Sequence, residues 1–271
     1  FIDDELNGDQ NPELGVWDRF FDFGDPNRHT QQLGINYELP LNKFPALNFV
    51  TSNYSYTGDF QWNKGSDLLV GNADTTLGNS ISNANQHNLN TSLDMRKLYR
   101  YIGIKKASKR SKTSRSKSKK FNLKDFGIGL ITSVNRMQIN YSEGNSSFLP
   151  GYLPTPGFLG TLRPTAGYTF GSQRDIRRIS AENGWLTTYD QFNQQYTETH
   201  TQNIDFSINM EPISDLKIDL TGGKTYATNF TESFNAVGNT FNSLIQNTFG
   251  NFNISTVLIK TAFSQSDEIK S

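Results

Sequence analysis

The chain has 271 residues, 26 basic and 26 acidic, and no cysteine, so it has neither a disulfide framework nor a thiol site. Its hydrophobic content of 34% and mean hydropathy of −0.60 are low for one large soluble core, and no stretch approaches the length of a membrane helix. Aromatic residues are nonetheless plentiful, with 11 Tyr and 20 Phe, which suits an apolar surface contributed by alternate residues of strands.

The first residues form an acidic segment rich in turn formers, which we expect to pack through its aromatic cluster of Trp17, Phe20, Phe21 and Phe23. The sequence carries no signal peptide and does not begin with Met. We therefore interpret residues 1–271 as an internal piece of a longer protein.

The stretch from His29 to Trp62 predicts a hairpin of two long strands joined at Pro40 and Pro45. In the second strand one set of alternate residues is apolar, and it comprises Val50, Tyr54, Tyr56, Phe60 and Trp62. The intervening set is polar and includes Asn53, Ser55, Thr57 and Asp59. A strand of a membrane barrel has about 9–11 residues, apolar outward and polar inward, with aromatics at the interfaces. We therefore predict that the first set faces lipid and the second faces a lumen.

Five further strands are predicted along the chain. A polar connection, residues 63–86, leads to a third strand beginning at His87, and a fourth spans about 125–141. The last three strands are predicted near 203–211, from 216 to 222 and at 252–263, with a polar connection at 231–250 before the final one. The pattern indicates an all-β fold of about seven antiparallel strands with long loops.

A basic tract occupies residues 105–120, where nine of the sixteen residues are Lys or Arg and none is acidic or aromatic. Such a composition cannot bury anything, so we predict a disordered connector. Clustered Lys and Arg could bind nucleic acid or anionic lipid head groups. Because no aromatic residue is interleaved for base stacking, we favour a solvated connector and expect no nucleic-acid partner.

The segment from 142 to 199 is too rich in Pro, Gly and aromatic residues for a plain loop. Its prolines oppose ladder pairing, while its apolar side chains, among them Phe148, Tyr152, Phe158 and Leu159, need burial. We predict that these residues gate a barrel mouth or dock a partner protein. A compact external loop packed on its own side chains is the structural alternative.

The lengths of the connections also predict sidedness. If the strands alternate in direction, the short turns at 41–46 and 212–215 lie on one side, and the connections 63–86, 142–199 and 231–250 lie on the other. Outer-membrane barrels have short periplasmic turns and longer external loops. The basic tract, which falls on the short-turn side, is the exception.

Catalytic and metal-binding motifs are not evident in the sequence. The three histidines, His29, His87 and His200, are far apart, and we interpret them as polar residues at strand starts rather than as metal ligands. No GxSxG, HExxH, P-loop or GxGxxG motif is present. We expect no enzymatic activity and no cofactor.

Several long runs of residues resemble the SprA (Sov) family of gliding-motility cell-surface proteins of the Bacteroidetes. They include RHTQQLGINYELPLNKFPALNF, NYSYTGDFQW, LDMRKLYRYIGI, FLPGYLPTPGFLGTL, AENGWLT and ISTVLIKTAF, and together they extend over nearly all of the chain. The resemblance implies a fragment of a very large single-chain outer-membrane barrel that serves as the translocon of the type IX secretion system. It also implies a lipid bilayer, secreted cargo proteins and other secretion-system subunits as partners.

The sequence therefore predicts a passive protein-translocation pore in the outer membrane of a Gram-negative cell envelope, with residues 1–271 forming one barrel-wall segment. The alternative is a soluble all-β cell-surface module that binds glycan or protein. That alternative would place the apolar faces in a dry core between two sheets.

Overall fold

A computed structural model of the chain describes residues 26–65, 77–104, 132–157, 160–189, 192–213 and 216–255. In these ranges the fold is one antiparallel sheet of seven strands, each paired with the next along the chain. The strands are β1 (Arg28–Leu39), β2 (Val50–Asn63), β3 (Asn79–Asp94), β4 (Val134–Tyr152), β5 (Gln195–Ile213), β6 (Leu216–Val237) and β7 (Thr240–Ser255). The predicted all-β class and the seven antiparallel strands are confirmed. The sheet is open, with β1 and β7 at its edges.

The short helices lie at the ends of strands. Two 3-10 helices, Pro40–Lys43 and Pro45–Leu47, each begin with a proline and form the turn between β1 and β2. Helix α1 (Met95–Tyr101) directly follows β3, where the side chain of Asp94 caps it by accepting a hydrogen bond from the amide of Arg96. Helices α2 (Ala166–Thr169) and α3 (Arg177–Glu182) lie between β4 and β5.

Several predicted boundaries are wrong because the strands are longer than the apolar alternation indicates. β4 continues to Tyr152 and β5 begins at Gln195. The first and last residues of the predicted loop 142–199 therefore belong to these two strands. β3 begins at Asn79, inside the predicted connection 63–86. The predicted connection 231–250 is a hairpin, in which Gly238 and Asn239 form a tight turn between β6 and β7. The seventh strand is therefore Thr240–Ser255, and residues 256–263 of the prediction lie outside the described part.

The hydrophobic core lies on one face of the sheet, at one end. Residues 153–194, which we call the covering segment, fold back over this face, and α2 and α3 belong to it. Trp62, Ile81, Leu149, Tyr152 and Tyr196 of the sheet are buried against it. We call this end of the sheet the covered end and the opposite one, where the 3-10 helices and α1 lie, the α1 end.

Toward the α1 end the apolar face is mostly exposed, although Val50 and Ser52 of β2 are buried there. Among the residues in the described ranges, no helix is long and apolar enough to span a membrane. The basic tract 105–120 and the start of the predicted fourth strand lie outside these ranges. The chain enters the undescribed stretch after Ile104, close to α1, and leaves it before Thr132, close to the start of β4. Both ends of the stretch are therefore at the α1 end.

Candidate functional site

The two faces of the sheet differ in chemistry, as the alternation in β2 predicts. Because each strand is paired with the next, the register with β2 determines on which face each residue of the other six strands lies. One transverse row of one face consists of small polar residues: Asn36, Ser55, Asn88, Ser142, Asn203, Thr225 and Asn253. A neighbouring row on the opposite face consists of Tyr37, Tyr54, Leu89, Tyr141, Ile204, Lys224 and Ile254. We call these the polar face and the apolar face.

The apolar face carries a band of exposed large hydrophobic side chains in the part that the covering segment does not reach. We call this set the apolar band, and its members are Ile35, Tyr37, Leu89, Ile139, Phe206, Tyr226, Phe252 and Ile254. Their exposed fractions range from 36% for Leu89 to 59% for Phe252. The band crosses the sheet from one edge strand to the other. A surface of this extent is rare on a soluble monomer and marks contact with a membrane or a partner.

Three tyrosines, Tyr54, Tyr56 and Tyr141, lie within this band on the apolar face. The Tyr54 hydroxyl lies 2.7 Å from Nδ1 of His87, and the Tyr141 hydroxyl donates to Oε2 of Glu143 at 2.6 Å. The Tyr56 hydroxyl donates to the carbonyl of Phe170 in the covering segment at 2.7 Å. In all three cases the hydroxyl bonds to a group nearer the covered end. The aromatic rings thus contribute to the apolar band, while their hydroxyls bond to polar groups on its covered-end side.

The polar face contains the grooves of the sheet. Three shallow grooves are lined mainly by polar-face residues, and the largest has a volume of about 610 Å³. Side chains on this face bond to one another across strands, as in the 2.7 Å bond from Gln32 to Asp59 and the 3.3 Å bond from Asn88 to Ser55. The polar side chains of this face therefore form hydrogen bonds with one another or with water, so the face needs no covering layer.

The covering segment is held to the apolar face by hydrogen bonds to its backbone carbonyls. Asn85 donates to the carbonyl of Gly171 at 2.7 Å, and Asn83 donates to the carbonyls of Tyr168 and Ser172. The hydroxyl of Tyr168 lies 3.0 Å from Oγ of Ser147. Buried polar groups need such partners, and this need explains why Asn83, Asn85 and Ser147 occupy positions of the apolar face beneath the covering segment.

Arg177 anchors α3 to the sheet. Its guanidinium forms ion pairs with Asp175 at 2.9 Å and with the buried carboxylate of Glu232. The same group lies 4.5 Å from the ring centre of Tyr196 and 5.6 Å from that of Phe230. A planar guanidinium can donate to two carboxylates and stack on aromatic rings at once, so one side chain joins the segment to β5 and β6.

The pKa values of Arg177, Asp175 and Glu232 are all shifted so that the charged form of each group is favoured. Burial disfavours the charged forms, yet the contacts with Arg177 hold the pKa of Asp175 below its usual value. Burial likewise opposes ionisation of Glu232, but hydrogen bonds from Ser243 and Gln246, together with Arg177, hold its pKa below the usual value. The two carboxylates raise the pKa of Arg177 against the effect of burial. All three groups are therefore charged near neutral pH.

The predicted wall residues of β2 are divided as follows. Asn53, Ser55, Thr57 and Asp59 all lie on the polar face, and Val50, Tyr54, Tyr56, Phe60 and Trp62 all lie on the apolar face. The prediction that Val50, Phe60 and Trp62 face lipid needs correction, because they are only 9%, 1% and 1% exposed. The protein's own chain covers Phe60 and Trp62. The ring of Phe60 packs edge-on against Tyr168, and Nε1 of Trp62 donates to the carbonyl of Pro154 at 3.0 Å.

The predicted gate residues do not form one cluster. Phe148 is a half-buried residue of β4 on the polar face, whereas Tyr152 is buried beneath the covering segment on the other face. Phe158 and Leu159 lie outside the described residues. The covering segment packs on the apolar face. If the polar face lines a lumen, this segment therefore lies on the other side of the sheet from that lumen. Sequence reasoning missed Asn83, Asn85 and Glu232, which are polar residues at positions of the apolar parity. It also missed Arg177, which lies in a helix and has no such signal.

The histidines are not at strand starts, except for His29. His87 and His200 lie inside β3 and β5, and Nδ1 of His200 is 2.6 Å from Oδ1 of Asn145. Within the part of the chain that the structure describes, no group of three or more His, Asp or Glu residues could hold a metal ion. Comparison with known proteins adds no assignment, since no family model and no curated protein matches the chain.

Proposed function

We propose that the chain forms part of the wall of an outer-membrane protein-translocation pore of the type IX secretion system. In this proposal the apolar band contacts the lipid, the polar face lines a hydrated passage, and secreted proteins pass along it without chemistry. The observation that carries the proposal is the exposed apolar band opposite a mainly polar face, with three tyrosine hydroxyls of the band directed toward the covered end. The resemblance to the SprA family agrees with it.

The open edges of the sheet are consistent with the same proposal. β1 has 12 residues and β7 has 16, and each presents a backbone edge that no described strand pairs with. Exposed edges of this length lead to aggregation, and within a bilayer every backbone amide and carbonyl needs a partner. We propose that further strands of the same protein pair with these edges and close a large barrel.

In this arrangement the covering segment packs on the outer surface of the barrel wall, on the covered-end side of Tyr54, Tyr56 and Tyr141, and supports the wall from outside. Its attachment to the apolar face supports this role, since that face is the one directed away from the passage. Gating of the passage is then a task for other parts of the protein. This version differs from the inward-folding gate that the sequence predicts.

A pair of adjacent arginine substitutions in β4 tests the proposal. Ile139 is already 38% exposed on the apolar face, and Asn140 is exposed on the polar face of the same strand. If Ile139 contacts lipid near the midplane, Ile139→Arg should destabilise the full-length protein in bilayers by about 2–4 kcal/mol. Asn140→Arg should change the stability by less than about 0.5 kcal/mol, as is usual at a solvated site.

The alternative, a soluble all-β module that binds glycan or protein, makes the opposite prediction for this pair. In water an exposed Ile139 would accept arginine with little loss, so the two variants would be equally stable. Equal unfolding midpoints, together with recovery of the full-length protein from the aqueous fraction, would contradict the pore proposal.

A further inference from the structure

The apolar face contains one lysine, Lys224 of β6. Among the described strand residues of this face it is the single Lys or Arg, and it lies in the same transverse row as Tyr54 and Tyr141. A charged side chain on a surface that meets lipid is costly unless its charged group reaches the polar interface or binds a partner. The surroundings of the Lys224 ammonium group therefore indicate which ligand this part of the face meets.

The ammonium group of Lys224 is directed toward the covered end. Its Nζ lies 5.5 Å from the ring centre of Phe252. Phe252 pairs with Tyr226, so it lies one row nearer the covered end than Lys224 does. The hydroxyls of Tyr54 and Tyr141 are directed to the same side. Lysine and tyrosine side chains extend their polar ends in this way at the edge of a hydrocarbon layer.

The immediate neighbours of Lys224 are uncharged. Ile204 and Ile254 pair with it across the strands, and Gly222 and Tyr226 precede and follow it on the same face of β6. Among the residues that the structure describes, none forms an ion pair with Lys224. The ammonium group is thus near an aromatic ring and lacks a counter-ion from the described chain.

The carboxylates of the apolar face are bonded to other groups. The described strands carry three of them on this face: Glu143 bonded to Tyr141, Glu198 bonded to Tyr196, and Glu232 bonded to Arg177. Glu143 is the nearest to Lys224 in the register, and the whole of β5 separates its strand from β6. Asp205 pairs with Gly223, next to Lys224 in the chain, but lies on the polar face. None of these groups therefore neutralises Lys224 directly.

A second hydrogen-bond donor lies beside Lys224. Tyr226 is on the same face and 38% exposed, and its hydroxyl has no hydrogen-bond partner within the described ranges. Its ring packs edge-on against His200, which lies one further row toward the covered end, with 6.0 Å between the ring centres. An ammonium and a phenol hydroxyl on one exposed surface can both donate to the oxygens of a phosphate group.

We infer that Lys224 and Tyr226 bind the phosphate group of a membrane lipid. Each donates to a phosphate oxygen, while the acyl chains of the lipid lie along the apolar band toward the α1 end. The inference rests on the proposed function, because a wall in a bilayer is surrounded by phospholipid. It adds a headgroup site and places one headgroup layer at the covered-end border of the apolar band.

Lipid binding to the full-length protein in maltoside micelles, counted by native mass spectrometry, tests the inference. The probe is phosphatidylglycerol, compared with diacylglycerol of the same acyl chains, which lacks the phosphate. The wild type should bind phosphatidylglycerol more tightly than diacylglycerol. Lys224→Gln should lower the affinity for phosphatidylglycerol about fivefold, the effect of one lysine at an anionic lipid surface. Tyr226→Phe should lower it about threefold through loss of one hydrogen bond.

Lys217→Gln is the matched control, since Lys217 is an exposed lysine of the same strand on the polar face. It should bind phosphatidylglycerol as the wild type does, and Lys224→Arg should retain the binding because it keeps the charge. Wild-type affinity in Lys224→Gln would overturn the inference. Equal losses in Lys217→Gln and Lys224→Gln would also overturn it, by showing that total charge rather than position determines the binding.

Two further measurements separate this inference from its alternatives. Displacement of phosphatidylglycerol by an equal concentration of inorganic phosphate would overturn it in favour of a site for free phosphate. The Ile139→Arg and Asn140→Arg pair reports contact with the bilayer independently of the headgroup. A destabilised Ile139→Arg with lipid binding independent of Lys224 would contradict the headgroup site and keep the wall. Equal stability of the pair with lipid binding dependent on Lys224 would do the reverse.

Discussion

Gly58 of β2 lies directly beneath the carbonyl of Phe170, so close that a Cβ atom on Gly58 would stand 2.3 Å from the carbonyl oxygen. Gly58→Ala should therefore displace the covering segment and cost about 1–3 kcal/mol of unfolding free energy, as overpacking does. Gly34→Ala in β1 is the control, because a Cβ there meets nothing within 4 Å. Faster proteolysis within residues 153–194 in the Gly58 variant alone is expected, and equal cleavage of the two variants would contradict the close contact.

Arg177→Gln should weaken the attachment of α3 strongly. The substitution leaves the carboxylate of Glu232, which is 1% exposed, buried without its cation, and losses of about 3–5 kcal/mol are typical of a broken buried pair. Arg178→Gln is the control, since Arg178 is 86% exposed and pairs only with Glu182 on the surface of the helix. Urea unfolding of the two variants measures the difference. Similar midpoints would show that Arg177 is not an anchor.

The attachment should also weaken in acid. The pKa values of Glu232 and Asp175 are depressed in the folded protein, so both carboxyls contribute stability at any pH above their ordinary values of 4.5 and 3.8. This contribution is lost as the pH falls below those values and through the lower values of the folded state. The rate of hydrogen exchange in residues 166–182, relative to the intrinsic rate of an unprotected amide at the same pH, should thus rise between about pH 4 and pH 2. A Glu232→Gln variant should show a smaller rise, and an equal rise would assign the acid sensitivity elsewhere.

Two buried tyrosines should respond oppositely to loss of their hydroxyls. The Tyr152 hydroxyl is buried without a hydrogen-bond partner among the residues described, and burial raises its pKa. Tyr152→Phe should be neutral or stabilising by about 1 kcal/mol, because the desolvation cost disappears. Tyr168→Phe should destabilise by about 1 kcal/mol, because the contact with Ser147 is lost. Thermal unfolding of both variants decides the matter, and a destabilised Tyr152→Phe would indicate an unseen partner.

The strands and their faces could be predicted from the sequence because alternation is a local signal. Tyr54 and Tyr56 are assigned to one face, and Asn53 and Ser55 to the other, by a period of two that any strand imposes. The turn at Pro40 and Pro45 was predicted for the same reason, since proline fixes the local backbone. These features need no knowledge of distant parts of the chain.

The extensions of the strands toward the covered end could not be predicted in this way. Asn83 and Asn85 lie on the apolar face because their partners are carbonyls of the covering segment, about 85 residues later in the chain. Their polarity interrupts the alternation, which therefore predicts the start of β3 too late. The hairpin at Gly238 and Asn239 did carry a local signal, since Gly-Asn is a favoured two-residue turn. The polar composition of the flanking strands hid it.

Because the covering segment buries apolar side chains at one end of the sheet only, the two ends differ in how much apolar surface they expose. At the covered end Trp62, Ile81 and Tyr168 are fully buried in a core that the chain supplies itself, so this end is able to fold in water. Among the described residues, no such layer covers Ile139 and Phe206 toward the α1 end, and in the proposed pore lipid would cover them. If the chain belongs to a membrane wall as proposed, the covered end can form before insertion, whereas the exposed apolar band needs shielding until lipid surrounds it.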